Sequence, residues 1–352
     1  ISHNVREGRL MVEAARRYGR IVQSGTQSRS SSAIRDAIGW MHQGNIGKPT
    51  LARGLCYKPR RSIGKVDGPR DVPKGIDYDL WVGPAPMKPL GRRQFHYDWH
   101  WDFDTGNGDL GNQGIHQMDL CRWALGHERL PDRVVAYGGR FGYDDDGNTP
   151  NTLVSVLDYP EAPIIFEVRG LPNSLQAQKD NWGGSMDRYL GMTIGAAIHC
   201  EEGTLLIPNY SSARAIDRTG KTIKEWRGAQ DHFKNFIDAV RSRDVESLNG
   251  TLEGGHLSSA LCHLGNISYL RGETVEPKVA AGRITWPTTA AADIERVVAH
   301  LTSNGVDFAS TGIVAGKMLE IDTATERFRE DAVANEMLFR PGRADYVFPE
   351  EA

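Results

Sequence analysis

Leu10, Val12, Ala14 and Ala15 form the first periodic apolar run, with Asn4 and Glu7 ahead of it in a capping-box arrangement, so a helix is expected here that Gly19 ends. Residues 20–25 read as a short strand, and Ser31 opens a second helix that reaches Gly44. This α-β-α order is the texture of a doubly wound sheet. From Lys48 the pattern changes. Residues 50–57 read as a strand and residues 58–97 as a long Gly-, Pro- and Arg-rich excursion, with a helical turn at 77–82. Strands are expected at 133–143 and 152–158, joined by Asp144-Asp145-Asp146-Gly147-Asn148. That acidic run lacks the bidentate Glu of a calcium loop and reads as a solvated turn. Further strands fall at 163–169, 192–200, 204–208, 214–217 and 222–226, and helices at about 230–242, 252–270 and 292–301. Successive hairpins imply a large, mainly antiparallel sheet with helical cover on one face. The expected organisation is an α/β segment over residues 1–47 followed by an α+β domain over residues 48–352.

Composition narrows the partners. With 42 Lys+Arg against 45 Asp+Glu the formal net charge is -3, which gives no general attraction to nucleic acid or to an anionic membrane. At 39% hydrophobic and 25% charged residues, the chain has the make-up of a globular protein with small-molecule partners. Cys56, Cys121, Cys200 and Cys262 lie far apart without C-x-x-C pairs, which argues against a structural metal or a disulfide framework. No apolar run approaches the roughly 18 to 20 residues that span a bilayer. The first residues carry no signal-peptide pattern, and the chain does not start with Met, so an upstream segment is expected to be absent. A cytoplasmic or periplasmic bacterial location is open, since any signal would lie on that segment.

The chemistry concentrates around residues 106–119. Asn112, His116, Asp119 and Trp123 recur at i, i+4, i+7 and i+11, which on one helix puts them on one face. A histidine between an amide and an acid is a candidate general acid/base, weighed against the ordinary amphipathic helix that Ile115, Met118 and Leu120 also describe. Gly106-Asn107-Gly108-Asp109-Leu110-Gly111 matches the dinucleotide fingerprint literally but lacks the preceding apolar strand, and a close backbone approach is the better reading. His100 and Trp101, with Trp99, Tyr97 and Phe95, suit either the apolar face of a sugar or a cluster that pins the long loop. At the exit of the strand 50–57, Tyr57 and Lys58 are candidate ligand contacts. His96, His100, His116 and nearby aspartates fix no metal geometry, and no metal is expected. His256 and His263 recur at i, i+7 on a late helix, where packing is the default.

These pieces, in order and spacing, resemble the glucose-fructose oxidoreductase / inositol dehydrogenase / rhizopine-catabolism (Gfo/Idh/MocA) family. The marks are Ser2-His3-Asn4 with its helix, the run Ile21-Val22-Gln23-Ser24-Gly25-Thr26-Gln27-Ser28-Arg29, the segment Gly44-Asn45-Ile46-Gly47, Gly114-Ile115-His116 with Asp119, and the closing segment 334–349. The resemblance implies a Rossmann domain binding NAD or NADP, of which residues 1–47 would be the C-terminal remnant, and a substrate-binding and oligomerisation domain with an open-faced sheet. It implies hydride transfer between nicotinamide and a hydroxyl of a sugar, sugar derivative or cyclitol. His116 matches the family histidine, Asp119 an acid that orders the substrate site, and Asn112 stands where the family often has aspartate. Tyr57, Lys58, His100 and Trp101 would frame the pocket, and Gln27 and Arg29 would approach the cofactor. The glycine fingerprint and the family's Glu-Lys-Pro lysine would lie before Ile1, so the chain by itself is expected to bind cofactor poorly and turn over little. A homo-oligomer through the sheet is a further implication. Two alternatives stay open: glycoside cleavage by transient oxidation, and a non-catalytic sugar-binding module.

Overall fold

The capping box at the start of the chain forms as its residues dictate. Asn4 Oδ1 accepts from the Glu7 amide at 2.9 Å, and the Glu7 carboxylate takes the His3 amide at 3.0 Å and Asn4 Nδ2 at 2.6 Å. From this start runs α1 (Val5–Arg17). The computed structural model describes residues 1–284, 286–287 and 289–349. α2 (Ser32–His42), capped by Ser31, leads into β1 (Pro49–Tyr57). The long excursion then carries the turn α3 (Tyr78–Val82), capped by Asp77, before the pair α4 (Gly108–Gly111) and α5 (Gly114–Leu125). Next come β2 (Arg133–Gly139), β3 (Thr152–Asp158), β4 (Ile164–Arg169), the short α6 (Leu175–Asp180), and β5 (Ile194–Cys200), β6 (Gly203–Asn209), β7 (Ser212–Asp217) and β8 (Thr222–Arg227). α7 (His232–Ser242) and α8 (Leu252–Leu270) follow, then β9 (Glu273–Val275), α9 (Pro277–Arg283), α10 (Ala290–Ser303), β10 (Ile313–Ala315), β11 (Leu319–Asp322), β12 (Arg327–Phe328) and α11 (Ala332–Glu336).

One 12-stranded sheet organises these elements in the order β12-β11-β2-β3-β4-β1-β5-β6-β7-β8, with β10 on β2 and β9 on β10. Among the described residues only β1 and β4 pair in parallel; the other pairings are antiparallel, as the hairpin pattern requires. On one face α2, α5 and α8 bury Ile34, Met41, Met118, Cys121, Leu257 and Leu261 against Ala52, Cys56, Val134, Phe166 and Ile198. α8 has no solvent-facing stripe: every residue from 255 to 268 is buried, the polar His256, His263 and Asn266 included.

The opposite face corrects the expectation of cover on one side only. Strand alternation sends Val135, Tyr137, Val154, Val156 and Ile165 to that face, where Ile294, Val297 and Leu301 of α10 and Ala280 of α9 close over them. A buried ionic network joins the layers there. Glu167 on β4 accepts from Arg53 Nη1 at 2.5 Å, Tyr57 Oη at 2.6 Å, Arg296 Nη2 at 2.7 and 2.8 Å, and Arg169 Nη2 at 3.2 Å. Asp293 of α10 takes Arg53 and Arg296, and Asp187 takes Arg169 at 2.5 Å with His300 Nδ1 at 2.7 Å. Burial alone would raise the Glu167 carboxyl, but Arg169, Arg296 and Arg53 together hold it below its ordinary value.

Other expectations change in detail. Residues 20–25 make no named strand; Gln23 forms a single antiparallel bridge to Thr251, so the α-β-α reading of residues 1–47 loses its strand. α1 instead lies along α8, and α2 packs on β7 and β8. The acidic turn is more than solvated. Asp145 is buried, receives both Arg140 Nε and Nη2 at 2.7 Å, and accepts from the Ile63 amide and Ser62 Oγ at 2.9 Å. It therefore ties the β2–β3 connection to the long excursion.

Removing one partner of a buried ion cluster leaves charge without compensation, so Glu167→Ala should lose about 3–5 kcal/mol of unfolding free energy in urea titrations. A loss under about 1 kcal/mol, the range of surface pairs, would mean that the network does not fasten α10 to the sheet.

Candidate functional site

Two glycines shape the approach to α5. A Cβ at Gly106 would lie 2.7 Å from the carbonyl oxygens of Trp99 and His100, and Gly108 has φ +60° against the Thr149 side chain. The run 106–111 therefore serves a close backbone approach, and it follows the 3-10 turn Asp98–Trp101 rather than a strand. The polypeptide then breaks at Asn112 (φ −83°, ψ −78°), and Gln113 becomes the N-cap of α5. Asn112 consequently stands before the helix, and the expected four-residue face begins only at His116.

His116 lies in the first turn of α5 with its ring edge-on to Tyr210, centroids 5.6 Å apart. Its Nδ1 is buried and has no hydrogen-bond partner. Beside it Lys58 Nζ donates to Gln113 Oε1 at 2.9 Å, and Gln113 Nε2 donates to Tyr210 Oη at 3.1 Å. Burial pulls the imidazole below its ordinary value of 6.5, Asp119 opposes this, and Lys58 adds to it. The ring is thus neutral at neutral pH and able to accept a proton. Clefts of about 480 and 560 Å³ flank α1, and neither includes His116.

Asp119 faces away from this niche. Arg29 grips both its oxygens, at 2.9 and 2.8 Å, and Ser258 Oγ donates at 2.7 Å. Burial would raise this carboxyl, but Arg29, Arg122 and Ser258 together hold it below its ordinary value. Asp119 therefore fastens α5 to the 3-10 turn Gln27–Ser30 and to α8, and Arg29 is occupied, with its guanidinium 5.0 Å from the Trp123 ring. Gln27 is exposed. Tyr57 points to the opposite sheet face, onto Glu167, and so leaves the His116 side altogether, as alternation along β1 demands.

The aromatic residues of the loop pin it in place. Trp101 is buried beneath Arg60, whose guanidinium sits 5.1 Å from the ring and holds both Asp109 oxygens at 2.8 Å. His100 stacks on Trp99 with centroids 3.8 Å apart, and its Nδ1 meets the Tyr97 carbonyl at 2.6 Å. His96 and His100 stand at i, i+4, but among the described residues no group of His, Cys, Asp and Glu is arranged to hold a metal. His256 Nε2 contacts Glu326 at 3.0 Å, within the ion cluster of Arg9, while His263 is buried two turns further along α8.

Lys58 and His116, both candidates in the sequence, lie beside Gln113 and Tyr210, which were not among the candidates. Gln113 stands between the candidates Asn112 and His116. Tyr210 sits in the β6–β7 turn, where no local signal links it to His116.

Residues 35–139 match the family model described as oxidoreductase family, C-terminal alpha/beta domain, of Gfo/Idh/MocA type. No curated protein matches the chain. Among solved structures, a protein from Thermotoga maritima named as an oxidoreductase is similar, with TM-score 0.51 and 16% identity over 76% of this chain and 68% of its own. One from Desulfitobacterium hafniense, named as an NADPH-dependent oxidoreductase, gives 0.50 and 12% over 76% and 68%. The WlbA dehydrogenase from Bordetella pertussis, solved with NADH and UDP-GlcNAcA, gives 0.46 and 16% over 74% of this chain and 64% of that one. This chain thus spans less than two thirds of the WlbA length. No helix among the described residues is long and apolar enough to cross a membrane. Residues 35–139 are thus similar to the C-terminal domain of Gfo/Idh/MocA-type oxidoreductases, and the fold is similar to that of the Thermotoga maritima protein.

Proposed function

We propose that the chain carries the substrate side of a nicotinamide-dependent oxidoreductase acting on a hydroxyl of a sugar, sugar derivative or cyclitol. The observation that carries this reading is His116: a neutral imidazole with a buried, unpartnered Nδ1, set beside Lys58, Gln113 and Tyr210. The match of residues 35–139 to an oxidoreductase family model supports the hydride chemistry, and the neighbour named for NADPH supports a nicotinamide partner. In this reading residues 1–47 belong to the cofactor side and residues 48–352 to the substrate side.

The residues present do not form a diphosphate cradle. The glycines at 106 and 108 are packed against the loop and Thr149, Arg29 is bound to Asp119, and Gln27 stands alone on the surface. What this chain supplies is the proton step. His116 takes the hydroxyl proton as the carbon is oxidised and returns it in reduction, while Lys58 and Gln113 orient the substrate oxygens. Asn112, at the turn before α5, would help to orient the imidazole and the substrate. Asp119 acts as a positioning residue, since it holds the helix that presents the imidazole.

In an enzyme that supplies the cofactor side as well, His116→Ala should lower turnover by about 10²- to 10⁴-fold in sugar-dependent nicotinamide reduction, the usual contribution of a positioned acid/base. Unchanged turnover would remove His116 from the reaction. Because the neutral ring is the active form and its value is lowered, kcat/KM should be level at neutral pH and fall only below pH 6.5. An activity limb centred above 6.5 would contradict the assignment.

A further inference from the structure

We propose that the substrate group bound beside His116 carries a carboxylate, so that the natural substrate is a sugar acid held by Lys58. This deepens the preceding reading and rests on it for the location of the site.

Charge around the niche does not balance from within. Asp119 is matched by Arg29 in a two-point pair, and Asp109 by Arg60 in another. Lys58 is left over. Among the described residues no carboxylate pairs with it, and its hydrogen bond goes to the neutral Gln113 amide. A half-buried ammonium has three donors and loses hydration without gaining an opposite charge, an arrangement that an anionic ligand would complete. The surroundings push the same way. α5 is 12 residues long, its N-cap Gln113 makes no side-chain cap, and the positive end of the helix therefore adds to the potential at Lys58.

The same bookkeeping selects a carboxylate over a phosphate. A dianionic phosphate is normally met by guanidinium forks or by several backbone N–H groups. Here the neighbouring guanidiniums of Arg29 and Arg60 are both occupied by aspartates, leaving the Lys58 ammonium, the Gln113 amide and the Tyr210 phenol as side-chain donors. That set matches a single negative charge on a polyhydroxy ring. The Tyr210 ring, beside His116 and 38% exposed, offers an apolar wall for the sugar face.

Calorimetric titration of the whole chain with D-glucuronate, D-glucose and inorganic phosphate tests this directly. Glucuronate should bind at least about tenfold more tightly than glucose, a difference of one charge-assisted contact. Lys58→Met should abolish the preference, lowering glucuronate affinity about tenfold more than glucose affinity, and Lys58→Arg should keep part of it. Equal affinities in the native protein, including binding of neither sugar, would overturn the proposal. So would a preference that survives Lys58→Met in a variant with native thermal unfolding. Phosphate binding more tightly than glucuronate in a Lys58-dependent manner would assign the position to a phosphate and overturn it too. The assay needs no hydride transfer: His116-dependent turnover of neutral sugars alone would overturn only the carboxylate, whereas intact glucuronate preference with His116-independent turnover would overturn only the proton role.

Discussion

Glu167 sits among three guanidiniums and a phenol, and β1 cannot slide without breaking that arrangement. Arg53 and Tyr57 both leave β1 on the side of Glu167, while Ala52 and Cys56 leave it on the side of α5 and α8. A slip of one residue would turn Arg53 and Tyr57 into an apolar helical layer and strip Glu167 of compensation. The network therefore fixes the register of the strand whose exit carries Lys58. It also closes α10 over the sheet, so the second face is a packed layer over β2, β3 and β4.

Such a cluster is not an efficient source of stability. Arg53 Nε, Arg169 Nε and Tyr137 Oη remain without partners, and apolar side chains of similar volume would often hold layers at least as well. Its value lies in uniqueness of geometry. On the other face the Arg29, Asp119 and Ser258 contacts do the same for α5, locking the helix to the turn at 27–30 and to α8. His116 and Lys58 thus approach each other from two elements whose positions are separately specified, and Gln113 spans the remaining gap.

Much of this was legible in the chain. The capping box at Asn4, the strands from β1 to β8 and the helices α7, α8 and α10 follow from periodicity and turn residues, because burial of one face imposes those patterns. Lys58 at a strand exit and His116 on a glycine-led helix were each visible as candidates, whereas their nearness is a tertiary fact. What escaped depended on contacts distant in sequence. Asp119 shows helical spacing from His116, yet nothing local tells that Arg29, 90 residues away, claims both its oxygens. Tyr57 and Lys58 are adjacent, and only the side of the sheet that each faces separates a structural phenol from a site ammonium. The cover on the second face was hidden for a similar reason: α10 was visible as a helix, but its partners on β1 and β4 lie 129 to 240 positions away.

The account turns on a neutral imidazole held beside an uncompensated ammonium. Its most direct test is the ionisation of His116 itself, followed by heteronuclear NMR of labelled histidines across the acid range. The midpoint should fall below 6.5 in the native chain and move up when Lys58 is replaced by Met, because the ammonium disfavours the imidazolium. A midpoint at or above 6.5, or one that ignores Lys58, would contradict both the burial of the ring and the niche built around it.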